Sequence, residues 1–320
     1  MAFVRPRIAH FVAGGRRGGG AGFDRVLLRW CSSNKSGLDF SVESLDFKEV
    51  TCGMPRKTLE YILTEEKVHP MKQMSELEQR LGLGRRCFAY FHPNLPHEPL
   101  CFVHVALMPN IPGNIHVIID HEDPVAESEA TAAIFYSISS TRPGLALGQH
   151  LIKRTTQQLQ RENLALEAFS TLSPIPNFCK WLFASPSRPF VGELLSNGER
   201  EILRSLIHEE SVPHEGAPEV ISSLERPVLK LAAHYVSKVK RESRKGLLST
   251  EIHCPVGNFH LRNGAEAWRL NFLADQSSRG IKNSLGTMIN YKYNLESLQS
   301  NSQRYVKSGA VCTGSSFQTS

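Results

Sequence analysis

The amino-acid sequence predicts an α/β fold with a mixed sheet and additional helices. Strand-like runs follow one another between residues 87 and 138, the hydrophobic period then becomes helical, and a strand-like run returns before residue 172. The chain has 320 residues, 41% of them hydrophobic and 21% charged, which is typical of a globular protein. This length is sufficient for one large core or two smaller ones.

The first strands are predicted from runs rich in β-branched and aromatic residues, separated by Pro, Asn, Gly and Asp. They are Cys87–Phe91, Leu100–Met108, Ile115–Asp120 and Ala130–Ile138. The early runs are close enough in sequence to form hairpins, so we expect antiparallel pairing among them.

A helical period follows in Gly144–Asn163, where small and apolar residues recur on one face. Leu164–Leu172 then returns to a strand-like pattern. The unit from Ala130 to Leu172 is therefore strand, glycine turn, helix and strand. This order indicates a βαβ-like crossover, with a ligand site expected where the strands end.

Further helices are predicted on both sides of this unit from the spacing of apolar residues and from proline at a tolerated first position. These helices are Pro55–Lys67, Pro70–Leu83, Asn177–Leu182, Gly198–Glu209 and Pro227–Val239. We interpret the basic run Lys238–Lys245 as a solvated helix end rather than as a phosphate-binding patch.

The net charge of +6 arises from the first part of the chain. Residues 1–35 contain seven Lys and Arg residues against one acid, Asp24, so the remainder is neutral overall. A neutral body argues against nucleic acid as a partner. The leader is rich in Arg and Gly and lacks the apolar core of a secretory signal, which indicates a mitochondrial transit peptide. A disordered N-terminal segment without a targeting signal would have the same composition.

Hydropathy argues against a membrane-spanning protein, and cysteine spacing argues against a protein with a structural zinc site. No apolar stretch reaches the roughly 18 uninterrupted residues of a membrane span, so none is expected. The seven cysteines are scattered and include no CxxC pair, which favours free thiols in a reducing compartment over a structural zinc site.

The segment TRPGLALGQHLIKR, residues 141–154, is a candidate phosphate site. A helix start offers free backbone N–H groups and a positive dipole end, and Gly144 and Gly148 permit a ligand to approach closely. Glycines at a helix start are also ordinary turn residues, so the spacing leaves both interpretations open.

A serine, a histidine and the two tyrosines of one short motif are candidates for chemistry. Pro174 restricts Ser173 to extended backbone, which would hold its hydroxyl at the mouth of a strand, although a serine that begins a turn has the same pattern. His260 follows a short extended run and precedes a glycine loop. This pattern fits both a catalytic histidine and a histidine buried in the core. The tyrosines of NYKY, Asn290–Tyr293, donate hydrogen bonds or only pack.

The motifs AAIFYSISST, a glycine turn with LIKR, FSTLSPIPNFCKWL, FHLRNGA and NYKY occur in an order that resembles the malonyl-CoA decarboxylases. The resemblance covers roughly Val68–Tyr293, and the combination is far more specific than any single motif. It implies a GNAT-type acetyltransferase-like fold, with acyl-CoA across a split in the sheet. It also implies decarboxylation of malonyl-CoA to acetyl-CoA and carbon dioxide, in fatty acid metabolism, without a metal or an organic cofactor.

The resemblance assigns residues to this activity. The essential serine of the family falls on Ser173, its essential histidine on His260 and its active-site tyrosine on Tyr293. Its CoA-binding turn falls on Pro143, Gly144, Leu145, Ala146, Leu147, Gly148 and Gln149.

The resemblance also implies a division of the chain. We expect a disordered leader at 1–35, a remnant of an N-terminal helical domain at 36–67, a catalytic domain at 68–306 and a disordered tail at 307–320. The family's helical domain helps subunits associate, so a homo-oligomer is expected to be weakened here. The mitochondrial matrix is the expected location, with the cytoplasm and the peroxisome as alternatives.

Two other functions are compatible with the same CoA turn. An acyl-CoA N-acyltransferase would share the fold, and a CoA-binding protein without activity would share the turn. A serine hydrolase is disfavoured because the sequence has no GxSxG motif.

Overall fold

The computed structural model describes residues 40–120, 126–142, 145, 147–184, 195–201, 224–242 and 248–317. The chain divides into two compact units, Met1–Ser44 and Leu45–Ser320. In the first, a 3₁₀ turn at Val42–Ser44 is closed by the Ser44 hydroxyl, which donates to the Ser41 carbonyl at 2.8 Å. The predicted leader at 1–35 lies outside the described residues.

An eight-stranded mixed sheet organises the described part of the second unit. Its strands are β1 (Asp46–Glu49), β2 (Arg85–Phe91), β3 (Cys101–Met108), β4 (Ala132–Ser140), β5 (Ala168–Thr171), β6 (Ser173–Pro174), β9 (Glu266–Asn271) and β10 (Met288–Lys292). The order is β1-β2-β3-β4-β5-β10-β6, and β9 also pairs with β10. Only β4 and β5 pair in parallel among these strands, which confirms the predicted α/β class with a mixed sheet.

The helices surround this sheet and a two-stranded ribbon of β7 (Lys240–Glu242) and β8 (Leu248–Ile252). They are α1 (Arg56–Glu65), α2 (Met74–Arg80), α3 (His116–Ile119), α4 (Leu147–Glu162), α5 (Phe178–Phe183), α6 (Glu225–Ser237), α7 (Pro255–Arg262), α8 (Ser278–Ser284) and α9 (Leu298–Ser308). None of the helices in the described ranges is long and apolar enough to cross a membrane.

Both faces of β3 are buried, because helices cover the sheet on each side. Ile62 of α1 and Leu77 of α2 pack with Phe102 on one face, whereas Gly148 at the start of α4 lies beside Ile138 on the other. Complete burial of such apolar side chains contributes about 1.5–3 kcal/mol each.

The crossover β4-α4-β5 creates an opening in the sheet. Pairing joins Ala132–Phe135 of β4 to Ala168–Thr171 of β5, as the strand, helix and strand pattern predicted. β4 continues to Ser140, whereas the chain after β5 enters β6 and pairs with β10. The second half of β4 and β6 therefore belong to diverging parts of the sheet.

One predicted strand is wrong. Ile115–Asp120 contains the short helix α3 instead, because the Asn114 side chain accepts the His116 N–H at 2.8 Å and begins a helical turn. Ile115 and Ile118 are then both buried on one side, a spacing of three that fits a helix and not a strand.

Two other sequence interpretations need correction. The basic run was predicted to be a helix end, but beyond Lys238 the residues Lys240–Glu242 form β7. The tail at 307–320 was predicted to be disordered, but α9 extends to Ser308 and Thr313 forms a bridge with Ala267. The Ala267 N–H donates to the Cys312 carbonyl at 2.9 Å, so backbone bonding gives the tail a fixed position.

Candidate active site

Ser173 lies where two segments of extended chain meet. β6 pairs with β10 through Ser173 and Ile289, in agreement with the extended backbone expected of a residue before proline. The hydroxyl lies 2.8 Å from Thr171 Oγ1, and the residue is buried.

His260 lies in the last turn of α7 and not after an extended run as predicted. Pro255 occupies the first turn, where its missing N–H costs little, and Cys254 Sγ accepts the Gly257 N–H at 3.4 Å. The helix ends before Gly264, whose φ of 86° is in the left-handed region. These local signals orient His260 toward the sheet, where it is buried.

The three predicted catalytic residues come together. His260 Nε2 is 3.3 Å from Ser173 Oγ, and His260 Nδ1 is 2.7 Å from the Tyr293 hydroxyl. Tyr293 follows β10, and its N–H donates to the Phe169 carbonyl at 2.8 Å, which fixes its backbone beside the start of β5. The imidazole therefore bridges two hydroxyl groups.

The protonation of this chain follows from burial. Burial raises the pKa of the Tyr293 phenol, and the neighbouring Asn263 amide only partly offsets it. Burial lowers the pKa of His260 to about 3, so the imidazole is neutral near pH 7. The Ser173 hydroxyl donates to Thr171 Oγ1, so its oxygen accepts a hydrogen from Nε2, and Nδ1 then accepts from the protonated phenol.

Aromatic rings fix the plane of this imidazole. Tyr291 stacks on His260 at 4.8 Å between ring centroids, with 25° between the planes, and Phe259 meets it edge-on at 5.0 Å. A Cβ on Gly257 would lie 2.6 Å from the Tyr291 hydroxyl, so only glycine permits this approach of α7 to β10.

The predicted CoA turn is adjacent to this group at one position. A Cβ on Gly148 would lie 2.9 Å from Phe259 Cζ, so the first turn of α4 contacts the residue before His260. Leu145 and Leu147 are buried, and Gln149 is exposed. Pro143, Gly144 and Ala146 lie outside the described residues.

Of two further neighbours of the site, Thr171 was not singled out from the sequence, and Tyr291 was considered only as one of the tyrosines of NYKY. Thr171 contacts the Ser173 hydroxyl, and Tyr291 stacks on His260. Each precedes a predicted site residue by two positions, and residues two apart in a strand share a face. That spacing was a usable signal in both FSTLS and NYKY.

A second buried polar group lies across β4 from α4. Ser137 donates to Glu66 Oε2 at 2.7 Å, and His104 Nε2 is 3.7 Å from the same oxygen. Ile138, next to Ser137, points to Gly148 on the opposite face, as strand alternation requires. This group therefore packs on the face of β4 that is opposite α4 and does not face His260.

The described residues contain no cluster of three or more His, Cys, Asp or Glu side chains that could hold a metal ion. The six cysteines within the described ranges are free thiols. The polar groups that contact Ser173 or His260 include the hydroxyls of Thr171 and Tyr293.

Comparisons with known proteins agree with the motifs. Residues 44–320 match the family model "Malonyl-CoA decarboxylase C-terminal domain". The mitochondrial malonyl-CoA decarboxylase of Anser anser anser is 38% identical over 290 residues, which cover 83% of this chain and 56% of that protein. The Rattus norvegicus protein of the same name is 37% identical over 292 residues, covering 84% and 57%. The chain thus spans little more than half the length of these relatives.

Solved structures give the same result. The malonyl-CoA decarboxylase of Agrobacterium vitis superposes with a TM-score of 0.78 at 33% identity, over 92% of this chain and 69% of that one. The Rhodopseudomonas palustris enzyme has a TM-score of 0.73 at 35% identity, over 85% and 65%. From the match to the family model and these identities, we conclude that this chain belongs to the malonyl-CoA decarboxylase family.

Proposed function

We propose that this chain converts malonyl-CoA to acetyl-CoA and carbon dioxide. The proposal is carried by one observation, the contact of His260 Nε2 with Ser173 Oγ at 3.3 Å. It is supported by the position of Gly148, beside Phe259, at the start of a helix that can receive phosphate groups. The names of the relatives support malonyl-CoA as the substrate.

The chemistry makes two demands. Loss of carbon dioxide breaks the bond between the carboxylate and the α-carbon, and the electron pair is delocalised into the thioester carbonyl as an enolate. The protein must stabilise the enolate oxygen and then protonate the α-carbon. One preorganised donor to such an oxygen is worth on the order of 3 kcal/mol. A positioned acid contributes roughly a hundredfold in rate.

His260 meets the second demand in the presence of substrate. The free imidazole is neutral, with its pKa lowered by burial. A malonyl carboxylate in the same buried site favours the imidazolium, so substrate and proton enter together. The proton consumed in the overall reaction then passes from Nε2 to the α-carbon. Ser173 orients the carboxylate or relays this proton, and Tyr293 holds the imidazole.

The hydrogen-bond directions at His260 favour decarboxylation over hydrolysis by a serine nucleophile. A serine nucleophile requires a histidine nitrogen that accepts its proton. The Tyr293 hydroxyl donates to Nδ1, so Nε2 carries a hydrogen toward Ser173. His260 is therefore a donor to Ser173, as a proton source for an enolate should be.

Incubation of the purified chain with malonyl-CoA alone tests the proposal, with acetyl-CoA and carbon dioxide as the measured products. We expect Ser173→Ala and His260→Asn each to lower kcat at least about a hundredfold while CoA affinity changes less than about twofold. His116→Asn is the matched control, because His116 is a partly exposed histidine of α3. Full activity of either site variant would contradict the assignment.

The same assay separates the rival functions. An N-acyltransferase would form product only when an amine acceptor is added to an acyl-CoA. A CoA-binding protein without activity would bind CoA and form neither product. Product from malonyl-CoA without acceptor is expected only of the decarboxylase.

We further propose the mitochondrial matrix as the location. The mitochondrial names of the relatives and the Arg-rich composition of residues 1–35 support it. Residues 1–35 fused to a fluorescent protein are expected to direct it to mitochondria. Replacement of Arg5, Arg7, Arg16 and Arg17 by Ala should abolish this, and diffuse fluorescence of the unaltered fusion would oppose the proposal.

A further inference from the structure

Side-chain hydrogen bonds complete the pairing of β5 with β10 next to Ser173. Ser170 pairs with Lys292 and Ser173 with Ile289, and this register places Thr171 opposite Tyr291. At that position the Tyr291 N–H donates to Thr171 Oγ1 at 3.1 Å, and the Ser170 hydroxyl donates to the Tyr291 carbonyl at 3.2 Å. The Asn290 amide donates to the Thr171 carbonyl at 2.8 Å.

Thr171 Oγ1 therefore has a fixed orientation. The Tyr291 N–H occupies one of its lone pairs, and Ser173 Oγ lies 2.8 Å away. Thr171 is completely buried and Ser173 is 6% exposed, so water does not readily replace either partner. The two hydroxyls meet because residues two apart in extended chain share a face.

The direction of each hydrogen bond follows from its neighbours. The Ser173 hydroxyl donates to Thr171 Oγ1, so the Ser173 oxygen accepts from the imidazole with the His260 hydrogen on Nε2. Nδ1 then accepts from the Tyr293 hydroxyl. The chain of donors thus runs from Tyr293 through His260 and Ser173 to Thr171.

We propose that, before substrate binds, Thr171 is a positioning residue that holds the hydroxyl hydrogen of Ser173 away from His260. The Ser173 oxygen then presents lone pairs to the imidazole N–H, which keeps His260 in its role as donor. This inference rests on the proposed decarboxylation. It adds to the Ser173, His260 and Tyr293 group a residue that acts only through Ser173.

Three variants separate positioning from a structural role in the ladder. Thr171→Val keeps the shape of the side chain and removes the acceptor, and we expect kcat to fall about tenfold, as for one lost buried hydrogen bond, with KM changed less than about twofold. Thr171→Ser restores the hydroxyl and should return kcat to within about threefold of the original. Ser170→Ala is the matched control, because Ser170 also bonds to Tyr291 and has no hydrogen bond to Ser173.

The proposal is overturned if Thr171→Val retains more than half of kcat, or if Ser170→Ala lowers kcat as far as Thr171→Val. It is also overturned if Thr171→Val lowers kcat further in a chain that already carries Ser173→Ala, because a residue acting through Ser173 has no effect without that hydroxyl.

Urea unfolding tests the same contact without activity and separates this inference from the proposed function. If the unaltered chain forms no acetyl-CoA, the proposed function fails, and the unfolding midpoints of Thr171→Val, Ser173→Ala and the double variant still test the contact. Non-additive shifts of the midpoint are expected of coupled hydroxyls. Additive shifts would show that Thr171 does not hold Ser173.

Discussion

Ser173 and His260 are 87 positions apart in the sequence, and their side chains approach to 3.3 Å. Strand β10 is the element common to both. Ser173 pairs directly with Ile289 of β10, whereas α7, which carries His260, leads into β9, which also pairs with β10. Tyr293 follows the same strand. The geometry of the candidate site therefore depends on the register of one short central strand.

Replacement of Tyr293 by Phe should lower kcat about tenfold with a small effect on KM. The phenol donates to His260 Nδ1 at 2.7 Å, and without it the neutral imidazole is free to place its hydrogen on either nitrogen. Nitrogen chemical shifts of the imidazole would report the altered tautomer in the free protein. Tyr61→Phe, on α1, is the control, and an unchanged kcat in Tyr293→Phe would refute a role for the phenol in setting the tautomer.

Replacement of Gly148 by Ala should lower both kcat and CoA affinity. The new Cβ would lie 2.9 Å from Phe259 Cζ and displace the residue next to His260. Phe259→Leu in the same chain should recover part of the loss because it makes room for the methyl group. At Gly198 a Cβ meets nothing within 4 Å, so Gly198→Ala should leave activity unchanged. Equal effects of the two alanine variants would show that the contact with Phe259 is unimportant.

Acid should destabilise the folded chain through its buried histidines. Burial lowers the pKa of His104 to about 3 from 6.5, so below pH 6.5 the unfolded chain binds a proton that the folded chain does not. Stability contributed by neutral His104 is complete above pH 6.5 and declines as the pH falls toward 3, by up to about 1.4 kcal/mol per pH unit. Burial lowers the pKa of His260 to about 3 and of His69 to about 4, with the same sign.

Urea unfolding at pH 7, 6 and 5 would measure this dependence. His104→Leu removes one titrating group and should make the loss of stability between pH 6.5 and 5 less steep. An identical slope in the His104 variant and the original chain would mean that His104 is not buried in its neutral form.

Replacement of Gly264 by Ala should reduce the free energy of unfolding by about 2 kcal/mol or more. Its φ of 86° disfavours a side chain, and a Cβ would lie within 3 Å of the carbonyl oxygen of Leu298 in α9. Because Gly264 ends α7, kcat should fall as well. Gly53→Ala, where a Cβ meets Thr51 only at 3.6 Å, is the control for thermal unfolding. A stable, fully active Gly264→Ala chain would contradict the prediction that a side chain at this position strains the backbone.

Much of the fold follows from local pattern. The β-branched and aromatic composition of β2, β3 and β4 predicted strands, and the change to a helical period predicted α4 and its crossover to β5. These features depend on which residues are apolar and how far apart they lie. Local pattern was insufficient at Ile115–Asp120, where a run of apolar residues fits both strand and helix and the turn in which Asn114 accepts the His116 N–H begins a helix.

The sequence by itself identified Ser173, His260 and Tyr293, through their motifs and the family that these motifs resemble. Only the tertiary structure joined them to Thr171 and Tyr291. The reason is physical, since a hydrogen bond or a ring contact depends on positions to within tenths of an ångström. Those positions are set by the register of β10 with its neighbours, and register is a property of the assembled sheet rather than of any one segment.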